Sequence, residues 1–402
     1  MPRRTGGFIG HRGLQAPDQP TAVTPTAGNA QVSVAFTAPS DVGDDAITGF
    51  VATTDDGIGA TGSSSPITIT GLTNGTAYTT RVYAINDYGT SAPSEASASF
   101  SPVFPDRGVF AGGLNVSPTA YLNTLQFVTI TSTGNTQDFG DLTQGVYRLM
   151  GLSSSTRGVR GGGRDASENQ NTMDYVTINT EGNASDFGDL SDVSTIGSGT
   201  SNETRGLFHL GVDTNDYTNT TEYITIASTG NTTDFGDRTI AAAFSEGAVA
   251  STTRAVFGTG YGNSDYQNVI DYFTIASTGN ATDFGDATVA RYGCGAGNSS
   301  TRGIWVGGVN GSGNSNVADY ITIASAGNAT DFGDLSTARY VGAGLSNLTR
   351  ILYGGGNTGS NNFKDEISYF TISSTGNDTD FGNLAAATAN LTAFSNSHGG
   401  LS

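Results

Sequence analysis

The chain has one cysteine, Cys294, in 402 residues, so no disulfide can form within it and stability must come from packing. Cys294 reads as a small buried hydrophobe on an inner strand, not as a reactive thiol. Lysine is almost absent, and only 13% of residues are charged. With 17 basic against 36 acidic residues the formal net charge is -19, which makes approach to nucleic acid or an anionic membrane repulsive. Neither nucleic-acid binding nor membrane insertion is expected. Only His11, His209 and His398 are available, in different regions, so a histidine-rich metal centre or a Ser-His-Asp arrangement has little to draw on. Acidic loops such as Asp213-Thr214-Asn215-Asp216 lack regular calcium spacing, and no carboxylate pair stands out for glycoside hydrolysis. The expectation is a non-enzymatic protein with no cofactor and no metal. The N-terminus is basic but has no apolar stretch of signal-peptide length, so export by that route is not expected.

Glycine is the abundant residue, 58 in all, and it recurs at fixed places. Asp-Phe-Gly stands at Asp138-Phe139-Gly140, Asp186-Phe187-Gly188, Asp234-Phe235-Gly236, Asp283-Phe284-Gly285, Asp331-Phe332-Gly333 and Asp380-Phe381-Gly382, spaced 48 or 49 residues apart. Thr-Arg before an apolar-then-glycine run keeps step at Arg157, Arg205, Arg254, Arg302 and Arg350, with a relative at Arg107. Two markers with one period establish an internal repeat. A kinase reading of Asp-Phe-Gly fails, because no glycine-rich loop with a strand lysine and no His-Arg-Asp accompanies it. Phe is expected to fill the gap between neighbouring units. Asp is expected to accept hydrogen bonds from backbone amides or from the Thr-Arg arginine, in a ring of equivalent ion pairs. Asn-X-Ser/Thr triplets at Asn183, Asn231, Asn280, Asn328 and Asn377 fall at one turn of the repeat and read as turn chemistry.

Each unit carries four strand signals; in one copy they lie at 338–344, 349–355, 367–373 and 378–382. Four antiparallel strands at this period predict a propeller blade with the glycine-rich first strand innermost. The repeat opens on a second strand at 107–113 and stops after a lone first strand at 389–394. Six blades therefore close only if the C-terminal strand joins the first blade, which leaves no open sheet edge. Glycine runs ending the second strand at Gly112-Gly113, Gly161-Gly162-Gly163, Gly307-Gly308 and Gly354-Gly355-Gly356 resemble those of the kelch family. The copies at Gly211 and Gly258-Thr259-Gly260 depart from it, and Phe of Asp-Phe-Gly replaces the family's Trp. The resemblance implies an all-β chain ending in a divergent, six-bladed kelch-like β-propeller over 103–402.

Ahead of the repeat, residues 1–17 form a basic, glycine-rich tail too short to bury a core. Residues 18–102 show short alternating strands at 31–36, 47–52, 67–69 and 79–85, a small β-sandwich. Leu72-Thr73-Asn74-Gly75-Thr76-Ala77-Tyr78 looks like the tyrosine corner of a fibronectin type III domain, and 89–94 like its last hairpin; Phe36 stands where that family usually has Trp. The resemblance implies a spacer or adhesion module.

The loops between second and third strands, at 114–123, 164–173, 212–221, 261–270, 309–318 and 357–366, vary in sequence while the other turns hardly change. They are rich in Asn, Gly, Ser, Asp and Tyr, side chains suited to recognition. Candidate ligand contacts are Tyr121, Glu168, Asn215, Tyr217, Tyr261, Tyr266, Asn310, Asn314, Asn357 and Asn361. Tail, spacer and head together, with Arg-Arg-Thr-Gly-Gly-Phe-Ile-Gly at the start and Thr-Ile-Ala-Ser-Thr-Gly-Asn-Ala-Thr-Asp-Phe-Gly-Asp in the repeat, resemble virion structural proteins of tailed phages. That implies assembly in the host cytoplasm and display on the virion as a tail fibre or capsid-surface fibre, with homo-oligomers on the particle open. Arg3, Arg4, Phe8, Ile9 and Arg12 would anchor it to other virion proteins, and the variable loops would bind host-surface glycan or protein. A purely structural decoration protein and a carbohydrate-active enzyme on a propeller scaffold are the alternatives.

Overall fold

The computed structural model describes residues 14–401 except 117–118, 215, 245–246 and 263. The protein is all-β, and the chain divides into two compact units between Pro105 and Asp106. In the first unit, Thr21–Gly28, Gln31–Thr37 and Ile67–Thr70 form one antiparallel sheet, and Gly59–Gly62, Gly49–Thr54, Thr80–Asn86 and Gly89–Thr90 the other. Alternation puts Val32, Val34 and Phe36 inward from the first sheet and Phe50, Ala52, Val82 and Ala84 from the second, in one core. The phenol of Tyr78 accepts the amide N–H of Thr73 at 3.1 Å, which ties the corner before Thr80–Asn86.

Among its described residues the second unit contains six four-stranded antiparallel sheets. Sheet 1 is Arg107–Ala111, Thr124–Thr129 and Gln137–Asp141, with Thr392–Ser395 added from the C-terminus. Sheet 2 is Met150–Ser153, Arg157–Gly161, Gln170–Thr177 and Ser185–Ser194; sheet 3 is Ser198–Ser201, Arg205–His209, Thr220–Thr225 and Thr233–Asp237. Sheet 4 is Ala248–Ala250, Arg254–Gly262, Asp265–Thr274 and Thr282–Asp286; sheet 5 is Gly295–Asn298, Arg302–Val306, Val317–Thr322 and Thr330–Asp334. Sheet 6 is Ala343–Ser346, Arg350–Gly354, Glu366–Thr371 and Thr379–Asn383. Each sheet has a turn end, where strands three and four connect and, in sheets 2 to 6, strands one and two as well, and a loop end, where strands two and three connect.

The repeated motifs join sheet to sheet. Every Asp-Phe-Gly phenylalanine is buried, lies edge-on to the third-strand aromatic of its own sheet at 5.7–6.1 Å, and packs on the third strand of the next sheet, as Phe284 does on Ile321 and Ile323. The glycine that follows has φ between +142° and +152°, and a Cβ on it would lie 2.2–2.6 Å from backbone of the next sheet's turn, so only glycine fits. That turn's asparagine accepts the amide N–H of the residue after Asp-Phe-Gly in the preceding sheet, through six links of 3.0–3.1 Å that return from Asn383 to Asn135.

The expected ring of Asp-Phe-Gly ion pairs does not form. Those aspartates are exposed. Each Thr-Arg guanidinium instead lies 4.2–4.8 Å over the third-strand aromatic ring of its own sheet. It donates to an isoleucine carbonyl of the next sheet at 2.7–3.2 Å, and the series closes from Arg350 to Ile130. An aromatic face and a bare carbonyl satisfy the cation where the aspartate prefers water.

The first strands also start later than their composition suggests, Ala343–Ser346 instead of 338–344 and Thr392–Ser395 instead of 389–394. Just before each one, a residue in the left-handed region turns the chain: Arg148, Ile196, Phe244, Gly293, Val341 and Asn390, with φ of +52° to +71°. Their backbones form a cycle, Arg148 N–H to Asn390 O, Asn390 to Val341, Val341 to Gly293, Gly293 to Phe244, Phe244 to Ile196 and Ile196 to Arg148, at 2.8–3.0 Å. β-Branched Ile196 and Val341 are costly there, and the cycle of hydrogen bonds holds them.

Candidate functional site

The loop ends carry the candidate site. Its centre is Tyr292, in the connection between sheets 4 and 5, whose ring stacks on Tyr266 at 5.6 Å and 12°, meets Tyr261 edge-on at 5.6 Å and Tyr340 at 6.4 Å, and tilts against Phe244 at 4.9 Å. Tyr217 extends the cluster through Tyr261 at 6.3 Å. On the other side the guanidinium of Arg148 lies 5.6 Å from Phe244 and 5.2 Å from Tyr147, and Tyr147 tilts against Tyr121 at 5.4 Å. One aromatic surface thus crosses loops and connections of several sheets, and its tyrosines are only partly buried. Burial, with Tyr261 and Asp216 adding to it, pushes the Tyr217 hydroxyl up, so it is a neutral donor and acceptor at any ordinary pH.

The structure brings together Tyr121, Tyr217, Tyr261 and Tyr266 among the sequence candidates. Asn357 reaches the cluster differently: it is buried, its amide donates to the Tyr340 hydroxyl at 3.2 Å and its carbonyl accepts the Gly359 N–H at 2.8 Å, so it positions a tyrosine and does not face solvent. Asn310 accepts the Ser312 N–H at 2.8 Å in the short hairpin it shares with Asn314. Glu168 closes an exposed turn with Asp165, and Asn361 occupies a left-handed turn position at φ +59°. These four serve their own loops. Asn215, His11 and the anchoring candidates Arg3, Arg4, Phe8, Ile9 and Arg12 lie outside the described residues.

Residues missed from sequence are Tyr147, Arg148, Phe244, Tyr292 and Tyr340. A signal existed: Tyr147-Arg148, Arg291-Tyr292 and Arg339-Tyr340 recur at the repeat period just before the first strands.

Beneath this surface the loop ends hold buried ion pairs. One third-strand slot is Gln126, Asp174, Glu222, Asp271, Asp319 and Ser368 in sheets 1 to 6. Asp174 takes Arg160 at 2.6 Å, Asp271 takes Arg238 at 2.9 Å, Asp319 takes Arg291 at 2.7 Å, and beside Ser368 Glu366 takes Arg339 at 2.8 Å. Arg291 also donates to Cys294 Sγ at 3.2 Å, and burial pushes that thiol up, which keeps it unreactive. His209 is buried between the carbonyls of Thr220 and Ala242, and burial, with Arg238 nearby, lowers it to about 4.

At the turn ends the first strands finish in a belt of side chains bonded to neighbouring backbones: Ser201 to Ser153 O, Ser153 to Ser395 O, Ser395 to Ser346 O, Ser346 to Asn298 O and Asn298 to Ala250 O. The interval between Ala250 and Ser201 is covered by the C-terminal turn Gly399–Leu401, where a Cβ on Gly400 would lie 2.2 Å from Ser201 O. His398, just before that turn, is half-buried and lowered to about 4 by desolvation.

The sandwich core and the Tyr78 corner decide the family of the first unit. Residues 15–100 match the fibronectin type III domain. The fibronectin type III match ends before the repeat, so it assigns the first unit alone. No curated protein matches the chain.

Proposed function

We propose that residues 106–402 are a six-bladed, kelch-like propeller latched by the C-terminal strand, and that its loop face is the recognition surface of a non-enzymatic virion appendage. In this reading the appendage is a tail fibre or capsid-surface fibre of a tailed phage, attached to other virion proteins through its N-terminal segment and spaced from them by the fibronectin type III unit. It binds host-surface glycan or protein. Three cycles support the fold: the left-handed backbone ring, the asparagine links and the arginine-to-carbonyl links, each passing through all six sheets and returning to the first. A ring of blades accounts for all three and leaves the fourth strands as the outer sheet edges.

The observation that carries the binding role is the continuous aromatic surface from Tyr121 to Tyr340. Partly exposed tyrosines fixed by ring contacts supply a wide amphipathic area at low entropic cost, which suits recognition of sugars or protein. The phage assignment is supported by the resemblance of tail, spacer and repeat.

The test is binding of the full chain to intact candidate host cells and their extracted surface polysaccharide, with product analysis in the same tubes. Saturable binding without product, weakened at least tenfold by Tyr261→Ser with Tyr292→Ser, is expected. Absence of binding at high micromolar concentration, or turnover of the polysaccharide, overturns the reading.

A further inference from the structure

Arg148 differs from four other arginines at the loop ends. Arg160, Arg238, Arg291 and Arg339 each hold a carboxylate. Arg148 takes part in none of the ion pairs among the described residues, and its Nε is enclosed without a hydrogen-bond partner. An enclosed, unpaired N–H on a cation is costly. The backbone of Arg148 belongs to the closed cycle, so the position is rigid. Its guanidinium lies between the rings of Tyr147 and Phe244, and Phe244 leads at 4.9 Å to Tyr292 and the stacked Tyr266.

We infer that this site binds a carboxylate-bearing saccharide, an inference that rests on the recognition-surface reading above. The planar fork of Arg148 matches a carboxylate in two parallel hydrogen bonds. The adjoining rings of Phe244 and Tyr292 present apolar faces to the C–H side of a pyranose, and the hydroxyls of Tyr261, Tyr266 and Tyr340 supply donors and acceptors around it. A neutral sugar uses the rings alone and leaves the guanidinium without a carboxylate; a uronic acid answers both through the terminal nitrogens. The chain's charge of -19 does not forbid this, because repulsion from distant carboxylates is screened over about 8 Å at physiological salt.

The probe is oligogalacturonate, set against the same oligomer with its carboxyls methyl-esterified, with inorganic phosphate as competitor and the full chain as receptor in calorimetry. Wild type is expected to bind the free acid about 10- to 100-fold more tightly than the ester, the span of one charge-assisted contact. Arg148→Gln should abolish that preference, so that the folded variant binds acid and ester alike. Equal affinity for acid and ester in the wild type overturns the inference without relying on any variant. So does an acid preference that survives Arg148→Gln, or displacement by phosphate as effective as by the free acid. If host cells still bind while acid and ester bind alike, the recognition surface stands and only the acidic ligand falls. If cells do not bind at all, the recognition reading itself has failed.

Discussion

The two ends of the repeat sheets obey different rules. At the turn ends one solution is used six times: a buried Phe, a glycine under the next turn, an asparagine link and an arginine over an aromatic ring, with little change in distance from sheet to sheet. At the loop ends a single slot is filled by Gln126, Asp174, Glu222, Asp271, Asp319 or Ser368, and each finds its own partners. Uniform turn ends hold neighbouring sheets in one spacing, since any departure would break contact with both neighbours. The loop ends answer to local packing, so they are free to differ, and a surface that differs from sheet to sheet can hold one asymmetric ligand.

The largest break in this comparison is removal of 392–401. Sheet 1 then loses the strand paired with Arg107–Ala111, the serine belt loses Ser395, and the Gly399–Leu401 turn no longer covers Ala250. An exposed edge beside an interrupted serine belt invites association. The truncated chain is expected to lose its cooperative transition and to aggregate, in scattering and chromatography; a monomer with unchanged melting overturns the latch.

The same contrast explains what could be read from sequence. The turn ends were legible because their residues recur: Phe284, Gly285 and Asn328 each have five equivalents at fixed spacing. The arginine partners were misread because both Asp and Arg are periodic, and sequence does not say that the ring and the carbonyl lie nearer. First-strand starts were misplaced because left-handed Arg148, Ile196, Phe244 and Val341 are ordinary L-residues whose conformation the backbone cycle imposes; only Gly293 announces it. That error also hid Tyr292 and Tyr340, which sit in connections that read as strand. The loop tyrosines Tyr217, Tyr261 and Tyr266 were legible because loop position and residue type agree.

Acid should act at both ends. Burial holds His398 at the turn end and His209 at the loop end near 4, His209 with help from Arg238. Folding therefore favours the neutral rings, so their stabilisation is complete above about pH 6.5 and is lost as pH falls through 4. A shift of this size corresponds to roughly 3 kcal/mol per histidine. Denaturant unfolding at pH 7 and pH 4 should show the loss, and His398→Gln should reduce the pH dependence by about half. An unchanged pH dependence in that variant would show that the C-terminal turn opens before His398 protonates.

The smallest effect sharpens the comparison most. Arg302→Leu removes the hydrogen bond to Ile372 O and the contact over Tyr320, one of six equivalent links. A charge-assisted bond and a half-exposed cation–π contact together are worth about 1–2 kcal/mol, and the leucine covers part of the same ring. Five links remain, so the sheets should keep their spacing and the loop ends their aromatic surface. Thermal unfolding should move down by a few degrees, about 2–4 °C per kcal/mol for larger domains, while affinity for host cells or polysaccharide stays within twofold. Loss of binding at unchanged melting would mean that the turn end contacts the ligand, and the division of labour between the two ends would have to be reversed.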